Sequence, residues 1–207
     1  MGAVGASARK ARSTVGARAK GAIVRPMVEW FAGACGEVEL RDVAGALSAP
    51  AREEISVEAP ALGILAAGWY TETLASEVAE AILKHAMLQY TDAFVVKALG
   101  THIVDRTLGR FSRAAVEWMA TPHTIAAAAP IFWRMYHDTG TVQAMVDGSS
   151  MTATCTDWGE HKQTWCRVVG ASAVRVLDLA GCRDARVWVH RCRGGQGAEC
   201  SMVFRWH

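Results

Sequence analysis

The hydrophobic period of the chain changes after Gly140. Before that point apolar residues recur at helical spacing, and after it they alternate in short runs, Thr141 to Val146 and Ser150 to Thr156. Asp147-Gly148 lies between those runs, a pairing that signals a tight hairpin. His161 to Ala180 returns to helical spacing, with Trp165, Val168, Val169, Ala173, Val176 and Leu177 on one broad apolar face and Gly181 as its left-handed stop. Ala185 to Cys192 and Glu199 to Trp206 then form a second hairpin around Gly194, Gly195 and Gly197. Two hairpins joined by a helix predict an antiparallel sheet of four strands with helices packed on it. With a helical N-terminal half, the fold class is α+β in the order β-β-α-β-β.

The helical half has clear punctuation. Ile23, Val24, Met27, Val28 and Phe31 share a face, and Gly36 can cap that helix. Short helices are expected from Glu37 to Leu47 and from Pro50, and Pro60 and Gly63 mark a loop. Thr71 to Met87 predicts a strong helix, with Trp69 and Tyr70 as an alternative earlier start. Thr91 or Asp92 caps the next, and Thr121-Pro122 opens another that Pro130 should kink or split.

Residues 1–21 are set apart. They contain Arg9, Lys10, Arg12, Arg18 and Lys20 with no acidic residue, and are otherwise small. The segment reads as a disordered basic arm, with an electrostatic tether to an acidic protein partner or to nucleic acid as its functional reading. Residues 22–207 are the length of one domain with an ample core. The net charge of +2 argues against nucleic-acid binding by the whole protein. The longest apolar stretch, Ala59 to Ala67, is interrupted by Pro60 and Gly63, so no membrane span is expected. With no secretory or myristoylation pattern, a cytoplasmic location is expected, and the six cysteines read as reduced thiols or metal ligands.

Several phrases in this order, KGAIVRPMVEWF, GILAAGWYTETL, SRAAVEWMATPHTIAAAAPIFWRMYHDTG and CRGGQGAECSMVFRW, carry a resemblance. The chain resembles the superfamily that unites 4-vinyl reductase domains, haem nitric-oxide-binding domains and TRAPP vesicle-tethering subunits. Nearer still, it looks like a myxobacterial paralogous family in or beside that group. The likeness covers residues 20–206 and implies a fold and a homodimer, but no activity.

The same resemblance implies a metal site. The 4-vinyl-reductase-like sensor domains of phenol-responsive activators hold zinc through three cysteines and a glutamate, at a spacing similar to that of Cys166, Cys192 and Cys200. Their glutamate falls here at Val189, which cannot ligate, so His190 or Glu199 would have to substitute. His190 is the choice, because it shares a strand face with Cys192. The residues alone leave three readings open: a hairpin with metal-free thiols, which they favour, a zinc centre, and a Cys192–Cys200 disulfide. Cys35, Cys155 and Cys182 read as packing residues.

His85 and His102 lie on apolar helical stripes and could offer a haem its axial ligand. The Tyr-x-Ser-x-Arg trio that haem nitric-oxide sensors use is absent, so haem is not expected. Large rings stand among many alanines. Trp69, Phe94, Trp118, Phe132 and Trp165 are expected to line a pocket for a small apolar or aromatic molecule. No catalytic signature is present, since the chain has no Gly-x-Ser-x-Gly, P-loop or dinucleotide fingerprint. The expected function is a non-catalytic ligand-binding signalling module. An adaptor acting through its surfaces, like the tethering subunits, is the alternative.

Overall fold

The structure is a computed structural model that describes residues 16–159, 161–192 and 199–207, with side chains 110–112 left aside. Its first element is a short strand, β1 (Arg18–Lys20), followed by α1 (Gly21–Cys35), α2 (Glu37–Gly45), α3 (Ala49–Glu53) and a 3-10 turn at Pro60–Gly63. Then come β2 (Trp69–Thr71), α4 (Glu72–Ala86), α5 (Asp92–Thr107), α6 (Arg110–Met119) and α7 (Pro122–Tyr136). The last third is β3 (Thr141–Asp147), β4 (Ser150–Thr156), α8 (Gln163–Leu179), β5 (Arg186–Arg191) and β6 (Cys200–Arg205).

The four C-terminal strands form one antiparallel sheet in the order β3-β4-β6-β5. Each hairpin supplies a neighbouring pair, and β4 and β6 join them through Cys155↔Cys200 and Ser150↔Arg205. Alternation decides which face is covered. Met151 and Cys155 of β4 and Cys200, Met202 and Phe204 of β6 are buried, whereas Thr152 and Arg205 face outward. Helix α8 lies against β5 and β6, α7 lies beside β3, and α5 packs behind α8. Gly100 allows that last approach, because a Cβ there would sit 2.5 Å from the Ala171 carbonyl carbon.

The helix signals act as read. The hydroxyls of Thr71, Thr91 and Thr121 accept from Leu74, Phe94 and Thr124 backbone N–H groups. Gly181 takes φ 87° just past α8, which a side chain would resist. Three expectations need correction. Helix α7 is not split at Pro130 but continues from Pro122 to Tyr136, with the Thr121 capping box at its start and Trp133 buried in its last turn. Trp69 and Tyr70 do not begin α4 but form β2, antiparallel to β1. The basic arm therefore ends earlier than residue 21: Arg18–Lys20 is a strand with Ala19 fully buried, while residues 1–15 lie outside the described residues. Backbone pairing with β2 fixes this segment, a tie its composition does not encode. Among the described residues, no helix is long and apolar enough to cross a membrane.

Candidate metal centre and adjoining cavity

Cys166 sits in the first turn of α8, Cys200 opens β6, and Cys192 follows β5. Hairpin pairing and the helix laid on the sheet bring the three sulfurs together. Cys166 Sγ lies 3.1 Å from Cys192 Sγ and 3.4 Å from Cys200 Sγ. None of the six cysteines is in a disulfide, so the Cys192–Cys200 bond is not formed.

The fourth member is His161, not His190. The imidazole Nε2 of His161 is 3.1 Å from Cys200 Sγ and 3.6 Å from Cys192 Sγ. The four ligand atoms lie within 4.8 Å of one another, a donor set that can hold a metal ion. His190 is exposed on β5, at a register shift in which Val189 pairs with Met202 and Arg191 with Ser201. His190 thus keeps the outward parity of Arg186 and Trp188, and the one-residue bulge beside it puts Cys192, two positions on, on the inner side rather than on the face of His190. Glu199 is exposed as well, outside the group.

Local structure aims the His161 ring. Its Nδ1 lies 2.7 Å from the Gly159 carbonyl, which places the proton on Nδ1 and leaves Nε2 to face the sulfurs. Trp158 stacks on its face at 3.8 Å. Without a metal, burial opposes charge on His161, but its bonds to Cys192 and Cys200 prevail and push its pKa up to about 10. Bonds to Cys192 and Cys200 also hold the Cys166 thiol far above its ordinary range, and burial acts in the same direction. Tetrahedral zinc with Zn–S near 2.3 Å sets its ligands about 3.8 Å apart, so a modest widening of this cluster would admit it.

A cavity of about 230 Å³ adjoins the cluster, with Cys200 and Trp165 in its wall. Its floor is the covered sheet face, including Met151, Ala153, Met202 and Phe204. Its roof comes from α5, α7 and α8, including Ile103, Ala129, Trp133, Val169 and Ala173. Of the five rings expected there, Phe132 and Trp165 line it. The other three stand elsewhere. Trp69 packs against the cations of Arg18 and Lys20, Phe94 stacks on Tyr90, and Trp118 on α6 is 87% exposed. Helical spacing alone could not separate inner from outer positions for Phe94 and Trp118, and Trp69 lies on β2, where that spacing does not apply.

One wall of the cavity carries a buried polar network that the sequence did not announce. Glu72, at the start of α4, is 1% exposed, and His137, just after α7, is 5% exposed. His137 Nδ1 lies 2.6 Å from Glu72 Oε1, to which Trp158 Nε1 also donates at 3.1 Å, and Trp165 Nε1 donates to Oε2 at 2.7 Å. Trp133 stacks on the His137 ring at 4.0 Å. The β1 end braces both partners: Glu72 N–H donates to the Ala17 carbonyl, and Ala19 bridges to His137. A lone acidic residue at a helix start is an ordinary dipole signal, so nothing nearby in sequence marked Glu72 as buried.

No family model matches the chain, and no curated protein matches it. Solved structures do. A Tt H-NOX double mutant aligns with a TM-score of 0.58 at 6% identity, covering 90% of this chain and 94% of that one. A Cs H-NOX variant carrying 4-cyano-L-phenylalanine has a TM-score of 0.58 at 7% identity, covering 90% and 96%. A mutant T. tengcongensis H-NOX has a TM-score of 0.56 at 7% identity, covering 90% and 97%. At such identities the likeness is one of architecture, and by that measure the chain has the H-NOX fold.

Proposed function

We propose that this protein is a non-catalytic sensory module that binds a small apolar or aromatic molecule in the cavity between its helices and sheet. The supporting observation is the cavity itself, about 230 Å³ and walled almost wholly by aliphatic and aromatic side chains. An engineered apolar cavity of about 150 Å³ suffices for benzene. A one- or two-ring compound is therefore the size class. The H-NOX architecture of the neighbours agrees with a sensing role.

In this reading the His161, Cys166, Cys192 and Cys200 group holds zinc as a structural staple. Four protein ligands leave no open coordination position, which is the pattern of structural sites. The ion would tie the β5–β6 hairpin to the start of α8, one wall of the cavity.

The H-NOX likeness raises haem, for which His137 in the cavity wall offers an imidazole, while the size and the apolar lining of the cavity speak against it. The volume lies below the ~300 Å³ at which pockets for drug-sized ligands begin. Among the described residues, no arginine or lysine lines the wall to meet two propionates. His85 is turned to the Ala81 carbonyl, and His102 lies beside Arg106. Neither reaches the cavity.

Thermal unfolding against a library of aromatic and acyl compounds tests the reading. A ligand at a hundred times its Kd adds about 2.7 kcal/mol. Ala153→Leu, which fills the floor, should abolish the shift. A broad library without a shift would defeat the proposal.

A second reading is favoured by the outer surface. Trp118, Met119, Ile131 and Met135 are exposed on α6 and α7, as an adaptor or homodimer contact requires. Light scattering of wild type against Trp118→Glu tests it, with loss of self-association as the supporting result.

A further inference from the structure

We infer that His137 is the polar anchor of the cavity, and that the molecule held there presents one hydrogen-bond donor, an N–H or O–H, on an otherwise apolar body. This rests on the reading of the cavity as a ligand site.

The argument starts from Glu72. An indole N–H can only donate, so Trp158 and Trp165 make acceptors of both carboxylate oxygens. His137 meets Oε1 through Nδ1, so the proton belongs on Nδ1. In neutral imidazole the other nitrogen, Nε2, is then an acceptor. That nitrogen has no protein partner among the described residues, although His137 is 5% exposed and lines the cavity.

Other polar groups on the wall are spent or less enclosed. Trp133 donates to the Thr139 carbonyl, Trp165 to Glu72, and Ser172 to the Val168 carbonyl. Tyr136 and Thr154 are only half-buried. Among the described residues no buried side-chain nitrogen or oxygen lacks a partner, so Nε2 keeps surface open to a water-sized molecule, and a ligand N–H or O–H would give it the donor that water otherwise supplies. The ring cannot turn away to solve the problem itself. Trp133 is stacked on one face, Trp158 stands edge-on to it, and Glu72 holds Nδ1. An apolar wall with one fixed acceptor selects for shape first and for a single donor second.

Three isosteric probes test this: indole, which donates, benzofuran, which offers only an acceptor, and indene, which offers neither. Calorimetric titration of the full chain should give indole at least a tenfold lower Kd than indene or benzofuran. His137→Phe should bind indole and indene within about threefold of each other. Should that variant fail to fold, nitrogen NMR of the native chain decides. The unprotonated Nε2 resonance of His137 should move on adding indole and stay in place on adding indene. Equal binding of indole and indene, or a preference for benzofuran, overturns the anchor while leaving the cavity reading intact. No binding by any of the three overturns both.

Discussion

Nε2 of His161 and Sγ of Cys200 lie 3.1 Å apart across 39 residues of chain. Only the packing of the α8 start onto β6 creates that contact. It closes a four-ligand group whose sulfurs come from two other places. Zinc requires thiolates and neutral imidazole, so binding releases protons and strengthens as pH rises. Protein purified without chelator should contain one zinc per chain by elemental analysis at pH 7.5 and lose it at pH 5. His161→Gln and Cys200→Ser should each reduce zinc below half occupancy, whereas His190→Gln should not. Chelation should lower Tm by about 5–10 °C, the equivalent of ~2.7 kcal/mol in a chain of this size.

Arg167 of α8 pairs with Asp92 at the start of α5, with Nη1 3.0 Å from Oδ1. The hydrogen bond from Arg167 holds the Asp92 carboxyl below its usual range, against a smaller opposing effect of burial. A depressed folded-state pKa gives stability that is present above the ordinary carboxylate pKa and lost as pH falls through the folded value. The Asp92 side chain is 40% exposed, so solvent screening keeps the pair to about 1 kcal/mol or less. Asp92→Asn should lower Tm by about 2–4 °C at pH 7, with the difference shrinking as pH falls below the ordinary carboxylate range. Thermal unfolding of both proteins across that range checks the sign.

Gly100→Ala should destabilise despite alanine's better helix propensity. The added Cβ would meet Ala171 Cβ at 2.6 Å and Ser172 N at 2.6 Å, both on the facing helix. Backbone cannot yield as a flexible side chain does, so α5 and α8 must separate. Overpacking of this kind costs about 1–3 kcal/mol. Urea denaturation should show a lower midpoint with an unchanged slope.

Deleting residues 1–20 removes β1 and, with it, the Glu72–Ala17 backbone bond and the Arg18–Asp138 pair. Arg18 N–H also donates to Asp138 Oδ1 at 2.6 Å, one residue from His137. Several hydrogen bonds at about 1 kcal/mol each should be lost. A Tm decrease of about 5–10 °C is expected, with a changed His137 nitrogen spectrum. An unchanged spectrum would show that β1 does not brace the network.

The sequence by itself determined the elements. Threonine caps, glycine stops and the change from helical to alternating period are local, because they depend on backbone hydrogen bonds within a few residues. They placed α4, α5, α7, α8 and all four strands of the main sheet. Cys166, Cys192 and Cys200 were nameable together through resemblance, and the sheet then brought them to one point. What distance along the chain hides was decided by tertiary structure alone. His190 faces outward with Arg186 and Trp188, a one-residue bulge beside it let Cys192 turn inward instead, and the α8 approach brought His161 inward. The three-residue strand at the end of the basic arm acquired its place only by pairing with β2. Glu72 and His137, 65 residues apart, meet because the helices and the arm close around them. Burial of a charged or polar side chain depends on everything that surrounds it, and periodicity in one segment carries no information about the other side of a contact.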